Sequence, residues 1–146
     1  MLHIITSLTD PLTRLLKDDP VRPEIPVDFR IGPHTQVFVL HDDETHEPLA
    51  VVCAAYRDYI PANVAELAQA PEHTPKVAVF YTIWSYRPGA GRKLITQSKN
   101  WLLENQTSIT EFVTLSPPTD MARTFHLRNG AGVFRVNTDT VNYQYN

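Results

Sequence analysis

Apolar residues occur in short runs separated by prolines and polar turns, which predicts a chain of alternating strands and helices. Lys76–Trp84 is the most apolar segment, and uninterrupted apolarity is typical of a strand that is buried on both faces. The apolar segments Thr35–His41 and Glu47–Tyr59 lie on either side of a polar turn and predict an antiparallel pair. After a tight turn at Pro88–Gly91, apolar residues at helical spacing predict a helix that runs to about Asn105.

The other predicted elements are shorter and are bounded by residues that begin or end helices. Asp10 and Pro11 are typical of a helix start, and the prolines of residues 20–26 then predict a stiff linker. Four further segments follow, and the pattern predicts a helix, a strand, a helix and a closing hairpin at Ile60–Ala70, Thr110–Leu115, Asp120–Asn129 and Gly132–Tyr145. This order predicts one α/β domain over residues 1–146 with a mixed sheet, in which residues 1–30 form a helical, proline-rich lead-in.

Composition and charge narrow the classes of function. A chain of 146 residues is the size of one domain, and its net charge of −3 argues against a protein built to hold nucleic acid. No apolar run approaches the roughly 20 residues that a membrane helix needs, so we expect no membrane partner. The start of the sequence lacks the basic residues of a secretory signal, and the single cysteine, Cys53, favours a cytoplasmic protein. The histidines show no metal-ligand spacing, so we expect no metal site.

A glycine-containing turn directly after the most apolar segment is the first candidate binding site. Glycines in a turn let the backbone approach a ligand closely, and the helix that begins there directs free N–H groups at it. Basic side chains on both sides suit a pyrophosphate. The candidate residues for binding such a group are Tyr86, Arg87, Gly89, Ala90, Gly91, Arg92 and Lys93. The alternative is an ordinary strand-to-helix turn with solvated basic side chains.

A serine and a histidine near the C-terminal end are candidate catalytic residues. Ser116 ends a predicted strand, where ligand-facing groups are usual in an open α/β sheet, and two prolines fix the backbone beyond it. His126 lies one helical turn after Ala122, on a largely apolar face of the predicted helix. Taken alone, each residue also has a structural explanation: Ser116 could terminate the strand, and His126 could bond a nearby carbonyl.

Several motifs of this sequence resemble the catalytic domain of malonyl-CoA decarboxylases. The resemblance covers about residues 35–146, and its most specific part is the heptapeptide that contains His126. The matching motifs are, in chain order, Glu47-Pro48-Leu49, Ala78-Val79-Phe80-Tyr81-Thr82-Ile83, Thr114-Leu115-Ser116-Pro117, Phe125-His126-Leu127-Arg128-Asn129-Gly130-Ala131 and Val141-Asn142-Tyr143-Gln144-Tyr145. The glycine turn also resembles the coenzyme A loop of GCN5-related acetyltransferases (GNAT), Gln/Arg-x-x-Gly-x-Gly/Ala, with Tyr86 in place of the first residue.

The resemblance implies a fold, a reaction and a set of catalytic residues. The fold is that of GNAT proteins, an α+β arrangement with a central mixed, mostly antiparallel sheet flanked by helices. The reaction is decarboxylation of malonyl-CoA, or of a related malonyl thioester, with a coenzyme A thioester as substrate and no metal or organic cofactor. Ser116 and His126 would carry proton transfer, with Tyr143 near the site, although hairpin packing explains Tyr143 equally well.

The resemblance leaves the partners open. The N-terminal helical domain of the family has no counterpart in this sequence, and that domain is used in oligomerisation. An acyl carrier protein, in place of free coenzyme A, and a second copy of the chain therefore both remain candidate partners.

Two other functions remain open at this point. A GNAT N-acyltransferase would hold acetyl-CoA in the same loop, but it needs a base for the attacking amine, and Glu47 is the only candidate carboxylate. A non-catalytic module that binds acyl-CoA or an acyl carrier protein needs no reacting residue. Conversion of malonyl-CoA without an amine would separate these three functions.

Overall fold

Seven strands form one mixed sheet in the computed structural model, which describes all residues from 1 to 146. The strands are, in chain order, β1 (Leu2–Ile5), β2 (Thr35–His41), β3 (Pro48–Arg57), β4 (Val77–Ser85), β5 (Glu111–Thr114), β6 (Gly132–Val136) and β7 (Val141–Tyr145). Their order across the sheet is β1-β2-β3-β4-β5-β7-β6. Strands β4 and β5 run parallel, whereas every other neighbouring pair is antiparallel.

Helices cover both faces of this sheet. They are a 3-10 helix (Pro11–Asp18), α1 (Val27–Arg30), α2 (Val64–Leu67), α3 (Ala90–Asn105) and α4 (Asp120–Arg128). One apolar cluster fills the space between α3 and one face, and a second lies between the other face and the 3-10 helix, the end of α1 and α2. Helix α3 is the crossover that parallel strands such as β4 and β5 require. None of the helices combines the length and the apolarity needed to span a membrane.

The predicted order of elements is confirmed, with differences at the short segments. The side chain of Asp10 accepts a hydrogen bond from the Leu12 N–H at 2.9 Å, and the helix that it caps is 3-10 rather than α. Strand β1 was missed because Leu2–Ile5 is too short to show a pattern of its own. The helix predicted at 60–70 is only the four residues of α2, because its N-cap is Asn63, whose side chain accepts from the Glu66 N–H.

Strands β4 and β5 separate halfway along β4, and this separation positions the candidate site. Strand β4 pairs with β5 from Val77 to Phe80 and then continues beside β3 alone to Ser85. The register between β3 and β4 shifts at the point where Tyr81 is an extra residue in β4. Because such a bulge bends a strand, the second half of β4 leaves β5 and becomes one wall of a gap in the sheet.

Candidate active site

A cavity of about 550 Å³ lies where β4 and β5 separate. Its lining comes from the second half of β4, the residues after β5, helix α4 and the proline-rich segment before α1, which contributes Pro20 and Val21. A second cavity of about 640 Å³ lies at the start of α3. The two cavities adjoin, because they share the lining residues Ser85, Gly91, Met121 and Phe125.

Ser116 is buried and lines the first cavity, one residue beyond the buried Leu115. Its backbone forms a two-bond bridge with Val141, in which each N–H donates to the other residue's carbonyl oxygen at 2.9 Å. Its hydroxyl donates to the Thr114 Oγ1 at 2.8 Å, and the same oxygen accepts the Tyr143 N–H at 3.0 Å. The backbone position and the side-chain rotamer of Ser116 are therefore both held by β7 and Thr114.

His126 reaches the same cavity from the last turn of α4 and is 4% exposed. Its Nδ1 lies 2.6 Å from the phenol oxygen of Tyr145. Burial raises the pKa of Tyr145, so the phenol keeps its proton, and that proton has no other acceptor in the chain than the His126 Nδ1. This hydrogen bond assigns the remaining ring proton to Nε2.

The Nε2 atom of His126 is therefore a hydrogen-bond donor toward the cavity. It makes no hydrogen bond within the chain, and it is not among the fully buried polar atoms that lack a partner, so it reaches accessible space. Burial lowers the pKa of His126 to about 4, so the ring is neutral near pH 7. A neutral imidazole in this tautomer can donate the Nε2 proton but cannot act there as an imidazolium.

Because the His126 imidazole is buried and neutral, the free energy of unfolding should depend on pH in the acidic range. An unfolded histidine has a pKa near 6.5, so between about pH 6.5 and about pH 4 the unfolded chain binds a proton at His126 that the folded chain does not. Stability contributed at this residue is thus lost as the pH falls through that range. Urea unfolding should show that wild type loses about 3 kcal/mol relative to His126→Gln between pH 7 and pH 4. A pH-independent difference between the two would contradict the neutral, buried state.

Tyr143 packs against His126 and lies outside the lining of either cavity. The two rings stack with centroids 5.1 Å apart at 27°, and the Tyr143 side chain is 1% exposed. Tyr143 thus lies next to His126, near the candidate site as the resemblance implied, but it contacts the imidazole by ring stacking, and its burial also fits the alternative of hairpin packing. The hydrogen bond to the imidazole comes instead from Tyr145, which sequence reasoning missed.

The glycine turn separates into residues that face the cavities and residues that do not. Gly89 (φ 79°), Gly91 and Arg92 line the second cavity. A Cβ on Gly91 would lie 2.9 Å from the Phe125 Cζ, so only glycine leaves the ring in place. Arg128, at the end of α4, also lines this cavity and was not among the predicted residues.

The other predicted residues of the turn have structural contacts or face solvent. The phenol of Tyr86 donates to the Asp18 Oδ2 at 2.8 Å and accepts from the Trp84 Nε1 at 3.0 Å, which ties the turn to the 3-10 helix. Ala90 is buried in the core under α3. Arg87 and Lys93 are exposed, and Arg87 pairs with Glu47 at 3.4 Å. The basic groups nearest the second cavity are therefore Arg92 and Arg128.

Comparison with known proteins identifies the fold. No family model matches the sequence, and no curated protein sequence matches it. Among solved structures, it is similar to malonyl-CoA decarboxylase from Agrobacterium vitis, at 27% identity over 86% of this chain and 35% of that one, with a TM-score of 0.69. Malonyl-CoA decarboxylase from Cupriavidus metallidurans is 20% identical over 99% of this chain and 60% of that one, with a TM-score of 0.73. The GNAT domain of S. lividans PAT is 14% identical over 99% of this chain and 88% of that one, with a TM-score of 0.64.

The chain has the GNAT fold. The mixed, mostly antiparallel sheet that the sequence motifs implied is thereby confirmed. The chain spans 35% and 60% of the length of the two decarboxylases, so it corresponds to a part of each.

Within this GNAT fold, two residues that sequence reasoning missed hold the candidate catalytic pair. Thr114 precedes Ser116 by two residues and accepts its hydroxyl proton, and Tyr145 follows Tyr143 by two and bonds His126. Residues two apart in a strand share a face of the sheet. The alternation of side chains along β5 and β7 could therefore have indicated that Thr114 lies beside Ser116 and Tyr145 beside Tyr143. The geometry then shows which of the two tyrosines reaches Nδ1.

Proposed function

We propose that this chain decarboxylates malonyl-CoA, or a related malonyl thioester, to the acetyl thioester and CO₂. The observation that carries the proposal is the first cavity, which Ser116 and the Nε2 side of His126 line together, and which no carboxylate side chain lines. The structural similarity to two malonyl-CoA decarboxylases supports the same reaction.

The adjoining cavities suit the two ends of one thioester. The second cavity joins the free N–H groups at the start of α3 to the side chains of Arg92 and Arg128, a combination that favours phosphate groups. The pantetheine arm would pass Gly91, where the absence of a side chain keeps the shared wall open. The acyl group would then enter the first cavity between Ser116 and His126.

The chemistry follows from what these side chains can donate. When the bond between the carboxylate and the α-carbon breaks, its electron pair moves to the thioester oxygen as an enolate and CO₂ leaves. The His126 Nε2–H would donate to that oxygen, and one such preorganised donor is worth about 3–4 kcal/mol. The α-carbon then takes up the Nε2 proton, and the imidazole ring regains a proton from solvent. The Ser116 hydroxyl, turned from the Thr114 Oγ1 toward the substrate, would hold the leaving carboxylate out of the plane of the thioester carbonyl.

An N-acyltransferase is less well supported by the same cavities. Glu47, the only carboxylate that the sequence offered as a base, is exposed, pairs with Arg87 and lines neither cavity. Asp120 lines the second cavity, away from Ser116 and His126. The first cavity thus has no carboxylate to take a proton from an attacking amine.

The reaction is tested by incubating the purified chain with malonyl-CoA and no amine. We expect acetyl-CoA and CO₂ in equal amounts, and in D₂O an acetyl group that carries one deuterium. Transfer of the malonyl group to an added amine acceptor, without release of CO₂, would replace the proposal with an acyltransferase. Binding of malonyl-CoA without any product would replace it with a binding module.

A further inference from the structure

A buried cluster of charged side chains lies behind the first cavity and carries one positive charge in excess. Arg22 and Arg30 are 9% and 1% exposed, and the only carboxylate among them is Asp19, at 3%. All three come from the segment between the 3-10 helix and the end of α1, of which Pro20 and Val21 line the cavity.

The carboxylate of Asp19 is fully occupied by partners other than the Arg22 guanidinium. Its Oδ2 accepts from the Arg30 NH1 at 2.7 Å, and its Oδ1 accepts from the Thr82 hydroxyl at 2.8 Å. The Oδ1 also accepts the backbone N–H groups of Val21 and Arg22. Asp19 and Arg30 therefore form the ion pair, and the Arg22 guanidinium is left without a carboxylate partner.

Arg22 occupies the point at which β4 and β5 separate. Its Nε donates to the Tyr81 carbonyl at 3.1 Å, and its NH2 donates to the Leu115 carbonyl at 2.8 Å. Its NH1 makes no hydrogen bond in the chain, yet it is not among the fully buried atoms without a partner, so it reaches accessible space. Tyr81 itself lines the first cavity, as does Ser116, the residue after Leu115.

A buried guanidinium with no carboxylate in hydrogen-bonding contact is costly, and two carbonyl contacts do not require a charge. Glu24, the other carboxylate that acts on Arg22, is exposed and forms no hydrogen bond with it. The lining of the first cavity contains no lysine or arginine, and His126 is neutral. Arg22 does not itself line the cavity, but Val21, Tyr81 and Ser116 around it do, so its positive charge lies directly behind the cavity wall.

We infer that Arg22 selects acyl groups that carry a carboxylate, so that the cavity prefers a malonyl-type thioester to an acetyl thioester. The inference rests on the proposed function for the location of the acyl group, and it goes further by naming a specificity-determining residue. Arg22 acts on the carboxylate through its charge and its free NH1, and it takes no part in proton transfer.

The test measures binding, not turnover. The ligands are the amide analogues of malonyl-CoA and acetyl-CoA, in which nitrogen replaces the thioester sulfur so that neither loses CO₂. By calorimetry, wild type should bind the malonyl analogue about tenfold to a hundredfold more tightly, the range expected for one charged hydrogen bond. Arg22→Gln should bind both analogues equally, whereas Arg22→Lys should keep part of the preference.

Two results would overturn the inference. The first is equal binding of the two analogues by wild type. The second is an Arg22→Gln variant that loses affinity for both analogues to the same extent, because that is the effect expected if Arg22 only links the Tyr81 and Leu115 carbonyl groups. If Arg22→Gln does not fold, wild type is compared on the malonyl analogue and its neutral carboxamide. A preference below tenfold for the charged ligand then counts against Arg22. Selective binding without decarboxylation would refute the proposed reaction and leave this inference standing.

Discussion

Replacing His126 by alanine should lower kcat for malonyl-CoA decarboxylation by about 10²–10⁴-fold, the usual contribution of a positioned proton donor. The variant loses the Nε2–H, the only ring proton that faces the first cavity. We expect the fold to persist, because α4 is capped by Thr119 at its start and the Asn129 N–H closes its end. Circular dichroism and binding of the acetyl amide analogue check that persistence.

A matched control for this variant is His73→Ala, which removes an exposed histidine that lines neither cavity. It should keep wild-type kcat. A folded His126→Ala chain with undiminished turnover would remove His126 from the mechanism. Equal losses in both variants would point to an effect unrelated to the cavity.

Tyr145→Phe should lower kcat by about tenfold to a hundredfold and leave KM for malonyl-CoA nearly unchanged. The change removes only the phenol oxygen 2.6 Å from Nδ1, so the imidazole loses the hydrogen bond that assigns its proton to Nε2. The tautomer with the proton on Nε2 loses a preference of the size of one buried hydrogen bond, about 1–3 kcal/mol, and the reactive fraction of the enzyme falls accordingly. The measurement is steady-state kinetics together with the ¹⁵N chemical shifts of the His126 ring, which report the tautomer.

The control for Tyr145→Phe is Tyr56→Phe, because Tyr56 is also buried and also hydrogen-bonded, to the Gln36 side chain, but lines neither cavity. It should change stability and leave kcat alone. Unaltered ¹⁵N shifts together with unaltered kcat in Tyr145→Phe would show that Tyr145 does not set the tautomer.

The fold could be predicted largely from the sequence because its elements carry strong local patterns. Strand β2 has the predicted bounds, Thr35–His41, and β4 is buried along most of its length, as its uninterrupted apolarity indicated. The separation of β4 and β5 could not be predicted, because it depends on one extra residue at Tyr81 whose register is defined by strands distant in the sequence.

The site could be predicted only in outline, since its key contacts join residues that lie far apart in the chain. Ser116 and His126 were identified by motif, and the structure brings both to one cavity. The bond from Tyr145 to His126 and the contacts of Arg22 with Tyr81 and Leu115 span 19, 59 and 93 residues. No local pattern encodes such contacts, so the sequence alone placed Arg22 in a proline-rich linker.

The crystal structure of the chain with the malonyl amide analogue of coenzyme A would measure the central geometry directly. We expect the terminal carboxylate within hydrogen-bonding distance of the Ser116 hydroxyl, the acyl oxygen at the Nε2 of His126, and the pyrophosphate beside the start of α3. An analogue whose acyl end lies outside the cavity between these two side chains would contradict the decarboxylase mechanism, whichever way its phosphates bind.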